Sequence, residues 1–214
     1  MKKTLKYIVL FVFFMVNITM NAQNLALYFE LIPDAHLSHL KPDLRKGMVG
    51  MYELGQRPAR VPDMLGGICV LDTLSNDYLS MHTSDVSTLS IKMHQCENDS
   101  INLLVVVKTV KVAGSTDSGI NFFTNTWSKL ESSKYIDVPT VSDFYVTNEE
   151  VSLDEFSRFC IPLLITYKFN DDNSLSATID PEKYLPVEIY KKISPAFSKK
   201  PVTYIWDGNR YQKN

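Results

Sequence analysis

The chain has 214 residues, 45% of them hydrophobic, and its 22 Lys and Arg residues nearly balance its 24 Asp and Glu residues, for a formal net charge of −2. A chain of this length can bury about 70% of the surface that it exposes when unfolded, so it needs neither a disulfide framework nor a structural metal to fold. The acidic balance argues against nucleic acid as a partner, because nucleic-acid binding requires a basic surface.

The first 22 residues have the pattern of a secretory signal peptide. Three lysines within the first six residues form a basic start, residues 7–16 are continuously apolar, and Ala22 offers a small residue for signal peptidase. The apolar run is too short for a permanent membrane-spanning helix, which needs about 20 apolar residues. The sequence therefore predicts an exported protein, periplasmic or secreted.

Cleavage after Ala22 would leave a single α+β domain over residues 23–214, with a division into two lobes within residues 128–150 as the alternative. Cleavage would also remove three of the 22 basic residues, so 19 would face 24 acidic residues and the formal charge would be −5. That charge disfavours binding to an anionic membrane surface. The first cysteine is Cys69, so no acceptor for a bacterial lipid anchor follows the signal and no membrane anchor is expected.

The N-terminal part predicts two short helices. Residues 25–31 are apolar and predict a short extended segment before them. Pro33, followed by an aspartate, predicts the start of the first helix, because proline is tolerated in a first turn and the helix dipole favours an acidic residue there. Pro42 predicts the start of the second helix, whose apolar residues recur at helical spacing until Gly55.

The predicted sheet begins after a loop over residues 58–63, with a first strand over residues 68–74. Its centre is the block 76–127, the longest block in which apolar and polar residues alternate. Between residues 89 and 94, Leu, Ile and Met alternate with Ser, Lys and His, which is typical of a half-buried strand.

A polar turn over residues 95–100 leads to residues 101–112, which begin apolar on both faces and predict a central strand. A second turn over residues 113–119 leads to a third predicted strand, residues 120–127. The three strands together predict an antiparallel meander.

The C-terminal part predicts further helices and strands. Residues 128–148 show little periodicity and predict a long connection. Ser152 and the glutamate three residues later form a capping box, which predicts a helix ending near residue 159. Residues 163–179 predict a hairpin whose turn is the acidic segment 170–173. This segment lacks the spaced oxygen ligands of a calcium loop, so we interpret it as a turn.

The last residues complete the predicted fold. Pro181 and Pro186 predict helical starts, and residues 202–213 predict a final hairpin whose second strand lies at a sheet edge. The whole pattern predicts an α+β fold: a mostly antiparallel sheet of about seven to nine strands, with helices packed on one face.

His36 and His39 are the one histidine pair with the spacing of metal ligands, because residues three apart lie on one side of a helix. No third ligand accompanies them in the sequence. They are therefore expected to be exposed histidines of a surface helix, and neither a metal nor a cofactor is predicted.

The three cysteines are expected to be structural. Cys69 and Cys160 each lie beside apolar residues, which is typical of small buried hydrophobic side chains. Cys96 lies in the predicted polar turn close to His94. A bridge between two of the three is the alternative.

The sequence has no nucleophile elbow, Walker loop, dinucleotide-binding glycine motif, CxxC pair or SxxK. This favours an exported non-catalytic binding or accessory module of the bacterial envelope over an enzyme, with a protein, peptide or glycan as its partner. The polar segment 113–119 is the candidate partner-binding loop, with Gly114, Asp117 and Trp127 as candidate contact residues.

Two alternative functions remain open. A hydrolase with catalytic residues dispersed in the sequence would gather at least two titratable groups in a deep pocket, with His82 or His94 beside a carboxylate and a serine. A binding module would instead present a flat or concave aromatic face. A structural envelope protein that oligomerises through its edge strands is disfavoured by the two charges in residues 210–213.

Five stretches carry a resemblance to a known family: PDMLGG, NDYLSMHTSDVSTLSIKM, NLLVVVKTV, AGSTDSGINFFTNTW and VTYIWDGNRYQ. Their order and spacing resemble an uncharacterised exported family of Bacteroidales, the domain of unknown function numbered 3256, over essentially the whole of residues 23–214. The resemblance implies a periplasmic or secreted protein of a gut or oral bacterium and assigns no catalytic residue. The pair His36 and His39 is not part of the shared pattern.

In such a host, Thr73 and Ser100 are candidate O-glycosylation sites. Each lies in a tripeptide of an acid, a hydroxyl and an apolar residue that resembles the glycan attachment sites of such bacteria. Both lie at predicted strand ends or turns, where the surface has room for a glycan.

Overall fold

The computed structural model describes residues 25–96, 102–112 and 114–214. The predicted signal peptide and the candidate glycosylation site Ser100 lie outside the described residues, as does most of the predicted turn 95–100. Within the described part, eleven strands form two antiparallel sheets, one of seven strands and one of four. None of the helices described there is both long enough and apolar enough to cross a membrane.

The seven-stranded sheet is a meander in which each strand pairs with the next in sequence. At its centre, the side chains of Leu104 and Val106 enter one hydrophobic core and those of Leu103 and Val105 enter another. This is the two-sided burial that the apolar start of residues 101–112 predicts. The strands are β1 (Ala59–Pro62), β2 (Ile68–Leu74), β3 (Tyr78–Ser84), β4 (Ser87–Gln95), β5 (Asn102–Val112), β6 (Ser115–Thr124) and β7 (Lys129–Leu130).

Two helices, α1 (Leu25–Glu30) and α2 (Pro42–Glu53), cover one face of this sheet. The predicted start of α2 at Pro42 is confirmed. The prediction of an extended segment over residues 25–31 was wrong, because that segment buries Leu25 and Phe29 at helical spacing against the core. The prediction of a helix at Pro33 was also wrong, since residues 33–40 form a succession of turns.

The four-stranded sheet covers the opposite face of the meander. Its strands follow the order β11-β10-β9-β8 and enclose the second core, in which Tyr167 and Tyr204 pack with Phe122. The α+β class and the antiparallel pairing agree with the prediction, whereas the division into two stacked sheets was not predicted. The strands are β8 (Thr166–Phe169), β9 (Leu175–Thr178), β10 (Val202–Trp206) and β11 (Tyr211–Lys213).

The two C-terminal helices, α3 (Leu153–Phe159) and α4 (Val187–Ile193), pack on a third, smaller core. Half of the predicted capping box of α3 is confirmed, because the Ser152 hydroxyl accepts a hydrogen bond from the backbone N–H of Glu155 at 3.2 Å. The Glu155 carboxylate forms an ion pair with Lys192 of α4. Glu155 therefore connects α3 to α4.

Two predicted loops are strands. Residues 59–62 form β1, which pairs with β2, so a proline within this segment did not prevent a strand at the sheet edge. Within the described residues, most of the predicted turn 113–119 is strand, because β6 begins at Ser115. The polar residues 115–119 pair with β5 within the sheet. The backbone N–H of Ser118 also donates to the carbonyl of Ile165 at 2.7 Å. The polar start of β6 therefore resembles a loop in composition, although it is a strand.

Candidate functional site

The described part of the chain has a cleft between the two sheets, where the face of β4 that carries Lys92 and His94 meets the four-stranded sheet, with a volume of about 520 Å³. Pockets that bind small ligands typically have volumes of about 300–1,000 Å³. We call it the inter-sheet cleft. It is lined by Asp77, Lys92, Met93, His94, Gln95, Asp172, Asn173, Ser174, Thr203, Ile205, Trp206 and Asn214.

Lys92 carries the positive charge of the cleft. The residue is 8% exposed, and its Nζ donates to Asp77 Oδ2 at 2.6 Å and to Asn173 Oδ1 at 2.7 Å. Burial acts against ionisation of Asp77, but hydrogen bonds from Lys92 and Ser75 outweigh it and hold the pKa of this carboxyl below its usual value. The ammonium group is therefore held at a fixed position by groups from both sheets.

His94 lies two residues further along the same face of β4 and stacks on Trp206. The two ring centroids are 4.4 Å apart and the ring planes differ by 8°. Its Nε2 shares a hydrogen bond of 2.7 Å with the Tyr211 hydroxyl. Burial, and secondarily the Lys92 charge, lowers the pKa of His94 to about 4, so the ring is neutral at neutral pH.

The acidic segment 170–173 is the turn between β8 and β9, as the sequence predicts. Asn173 takes a left-handed backbone conformation with φ of 65°, which asparagine tolerates better than most residues. Asp172 Oδ1 accepts hydrogen bonds from the hydroxyl of Ser174 at 2.6 Å and from the backbone N–H of Ser174 at 3.0 Å. The turn thereby fixes the amide of Asn173 against Lys92.

The cleft contains the residue types of a hydrolase without the geometry of one. His94, Asp172 and Ser174 all line it. The His94 ring, however, bonds to Tyr211, and the Ser174 hydroxyl bonds to Asp172 and accepts from the Asn170 amide at 2.9 Å. A serine nucleophile requires its hydroxyl to bond to the base that removes its proton. In this structure the Ser174 hydroxyl bonds to a carboxylate and an amide, and not to His94.

The candidate partner-binding residues do not form one surface. Asp117 Oδ1 accepts from the backbone N–H of Ile165 at 3.2 Å, which links β6 to the other sheet. Trp127 is buried in the core beside α1, where its indole N–H donates to the Tyr28 carbonyl at 3.0 Å. Only Gly114 is exposed, at the turn between β5 and β6. We therefore place the proposed ligand site in the inter-sheet cleft.

The other predicted site residues lie apart from the cleft. The candidate glycosylation site Thr73 is exposed at an irregularity of β2, and its modification stays a prediction. His82 is exposed and pairs with Asp72 at 2.8 Å. The expectation that His36 and His39 are exposed on a surface helix was wrong, because both are half-buried in turns. The His36 ring packs edge-on against Phe123, with 4.9 Å between ring centroids, while His39 lies near Asp63 and Cys69.

None of the three cysteines, each within the described residues, forms a disulfide. Cys69 and Cys160 are fully buried in separate cores, as the sequence predicts. Burial raises the pKa of each of these two thiols to about 11, with a further contribution from the charge of Asp63 at Cys69. Both are protonated at neutral pH and unsuited to nucleophilic catalysis.

Three residues that shape the cleft were not identified from the sequence: Asp77, Asn173 and Trp206. One feature of the sequence indicates that Lys92 and His94 are covered. Lys92 and His94 pair across the sheet with Val105 and Leu103, which are apolar on the same face. Apolar neighbours on that face indicate that it is covered, so the lysine and histidine beside them are also covered and require partners.

Comparison with known proteins gives a family and a fold. The sequence model of a family described as "Protein of unknown function (DUF3256)" matches residues 17–211. No curated protein matches the chain. One similar solved structure is a domain of an uncharacterized protein from Porphyromonas gingivalis W83, with a TM-score of 0.75, 19% sequence identity, and coverage of 89% of this chain and 97% of that chain. At this identity the similarity shows a shared fold.

Proposed function

The chain belongs to the DUF3256 family, as its sequence motifs predict, and we propose that it is an exported, non-catalytic binding module of the bacterial envelope whose ligand is a glycan held in the inter-sheet cleft. One observation carries this proposal. A buried ammonium group fixed by two partners and a stacked aromatic pair line the same cleft. A few polar groups at fixed positions set the orientation of a bound ligand and provide specificity.

The chemistry of the lining favours a glycan over a peptide or an apolar ligand. Sugar rings offer apolar C–H faces, which pack on aromatic rings, and hydroxyl groups, which bond to planar amides and carboxylates. Trp206 supplies the aromatic surface, and Gln95, Asn173 and Asn214 supply amides around it. The mixture of one aromatic platform and several amides matches both properties of a sugar.

Export is the part of the proposal that rests on the sequence. The basic start, the apolar run of residues 7–16 and Ala22 support it. Extracellular and periplasmic locations are also where glycans are available to a binding protein. Mass spectrometry of the protein from its native host tests this part, because a mature N-terminus at residue 23 is expected and retention of residues 1–22 contradicts export by this route.

Glycan binding is tested by isothermal titration calorimetry of the full chain against a panel of oligosaccharides, comparing wild type with two cleft variants. Asn173→Gly removes the amide that contacts Lys92 but keeps a left-handed turn residue. Lys92→Met removes the charge but keeps an unbranched apolar stem. Each is expected to weaken binding by at least about tenfold, which corresponds to about 1.4 kcal/mol.

Lys191→Met is the matched control, because Lys191 lies on α4 in an exposed pair with Glu188, away from the cleft residues. It is expected to bind as wild type does. Absence of glycan binding at millimolar concentration contradicts the proposed ligand. Hydrolysis of a glycoside or ester that is lost in both His94→Asn and Ser174→Ala would instead establish the hydrolase alternative, for which the shared position of His94, Asp172 and Ser174 is the supporting observation.

A further inference from the structure

A second group of side chains lies apart from the inter-sheet cleft, at the turn between β1 and β2. His39 comes from the turn segment before α2, Asp63 begins the β1–β2 turn, and Cys69 is the second residue of β2. Their ligand atoms, one from each side chain, all lie within 4.8 Å of one another. The backbone N–H of Met64 donates to the His39 carbonyl at 3.0 Å, which holds the histidine segment against the turn.

Local contacts engage the Cys69 thiol, which donates to the Thr83 carbonyl at 3.6 Å, but they leave other ligand atoms of this group available. Asp63 Oδ1 accepts the backbone N–H groups of Leu65 and Gly67, both at 2.8 Å, so the turn is stabilised by one oxygen and Oδ2 remains for another ligand. His39 Nε2 is buried and has no hydrogen-bond partner within the residues that the structure describes. A buried ring nitrogen without a partner is costly, and a ligand that it binds would offset that cost.

We propose that His39, Asp63 and Cys69 form a zinc site, with water as the fourth ligand. The set of one nitrogen, one oxygen and one sulfur is a set that Zn²⁺ accepts, and three protein ligands plus water is the usual arrangement of an open zinc site. In a tetrahedral site these atoms would lie roughly 3.3–3.6 Å apart. The two partly exposed side chains, His39 and Asp63, lie in turn segments and would move inward by about 1 Å to reach this geometry.

The thiol must lose its proton for zinc to bind. On binding, the S–H bond breaks, a Zn–S bond forms, and one proton passes to the solvent. The site is independent of the inter-sheet cleft, so either proposal can fail alone.

The test is competition between the full chain and a chromophoric chelator for Zn²⁺, with Co²⁺ as a spectroscopic probe. Wild type is expected to bind one zinc ion and to give the thiolate-to-cobalt charge-transfer absorption. Cys69→Ser is expected to lose that absorption. Asp63→Asn keeps the Oδ1 acceptor for the turn, and His39→Ala changes a partly exposed residue, so both should fold and bind zinc more than about tenfold more weakly.

The controls separate a specific site from incidental binding. Cys160→Ser changes a thiol that is equally buried and has a similarly raised pKa but lies in another core. His82→Ala removes an exposed histidine beside a carboxylate. Both are expected to bind one zinc ion as wild type does. The proposal is overturned if wild type binds no zinc in the competition, or if folded His39→Ala and Asp63→Asn both retain wild-type affinity.

Discussion

The Nε2 atom of His94 and the hydroxyl of Tyr211 share a hydrogen bond of 2.7 Å across 117 residues of sequence. His94 lies on β4 of the seven-stranded sheet and Tyr211 on β11, the edge strand of the four-stranded sheet. Trp206 stacks on the same imidazole from the adjacent strand β10. The two sheets are therefore joined at the cleft by a polar contact that a neutral histidine makes.

This contact predicts a loss of stability in mild acid. Burial lowers the pKa of His94 from its ordinary value of 6.5 to about 4, so between these values the unfolded chain binds a proton that the folded chain does not. Stability is therefore full above pH 6.5 and falls as the pH decreases towards 4. The loss is on the order of 3 kcal/mol. Urea unfolding followed by tryptophan fluorescence at several pH values measures it.

The control for the acid effect is the double variant His94→Phe with Tyr211→Phe, which removes both hydrogen-bonding partners and keeps an aromatic ring beside Trp206. Its stability is expected to vary less between pH 6.5 and 4 than that of wild type. Lys92 and Asp77 also act on the pKa of His94, and both residues are present in the two proteins. His36, whose pKa burial also lowers, is present in both proteins. An equal pH dependence in the two proteins contradicts the prediction.

Arg45 of α2 is expected to hold the segment that precedes this helix. Its guanidinium is almost fully buried, donates to the Ile32 carbonyl, and contacts Asp34 Oδ1 at 3.3 Å. Arg45→Met leaves the Ile32 carbonyl without this donor, at an expected cost of about 1–3 kcal/mol in the free energy of unfolding. Arg60→Met, at an exposed position of β1, is expected to change stability by less than about 0.5 kcal/mol. Equal urea midpoints for the two variants contradict the assigned role.

Much of the fold follows from local sequence patterns, because hairpins and caps depend on neighbouring residues. The start of α2 at Pro42, the cap at Ser152, and the hairpin around residues 170–173 were each predicted from a few residues. The short helix α1 was not, since six residues make fewer than two turns and their apolar positions do not distinguish a helix from a strand.

The candidate site depends on contacts that no local pattern contains. Lys92 meets Asn173 across 81 residues, and His94 meets Tyr211 across 117. The sequence indicates that this face of β4 is covered, because its cross-strand neighbours on β5 are apolar. It does not indicate which segment covers it. Strand order and the stacking of the second sheet determine the partners, and both are properties of the whole chain.

Trp127 is expected to contribute to stability and not to ligand binding. Its indole N–H donates to the Tyr28 carbonyl, one of the last carbonyls of α1, which have no partner within the helix. Trp127→Phe keeps an aromatic ring but removes this donor, at an expected cost of about 1–3 kcal/mol in unfolding free energy. Calorimetric titration of the same variant should show unchanged glycan affinity. A lower affinity in the folded variant would instead support the sequence-based prediction of a contact residue.

Gly114 and Gly119 are expected to respond oppositely to the same substitution. Gly114 has φ of +86°, and a Cβ added there would lie 3.3 Å from the Lys183 carbonyl oxygen. Gly114→Ala therefore strains the backbone by about 1–2 kcal/mol and presses on the segment before α4. Gly119 lies on β6, and a Cβ there would meet no atom within 4 Å. Gly119→Ala is expected to be neutral or stabilising by up to about 1 kcal/mol, because alanine reduces the freedom of the unfolded chain. Thermal unfolding of both variants under one condition measures the difference, and a lower midpoint for Gly119→Ala than for Gly114→Ala contradicts it.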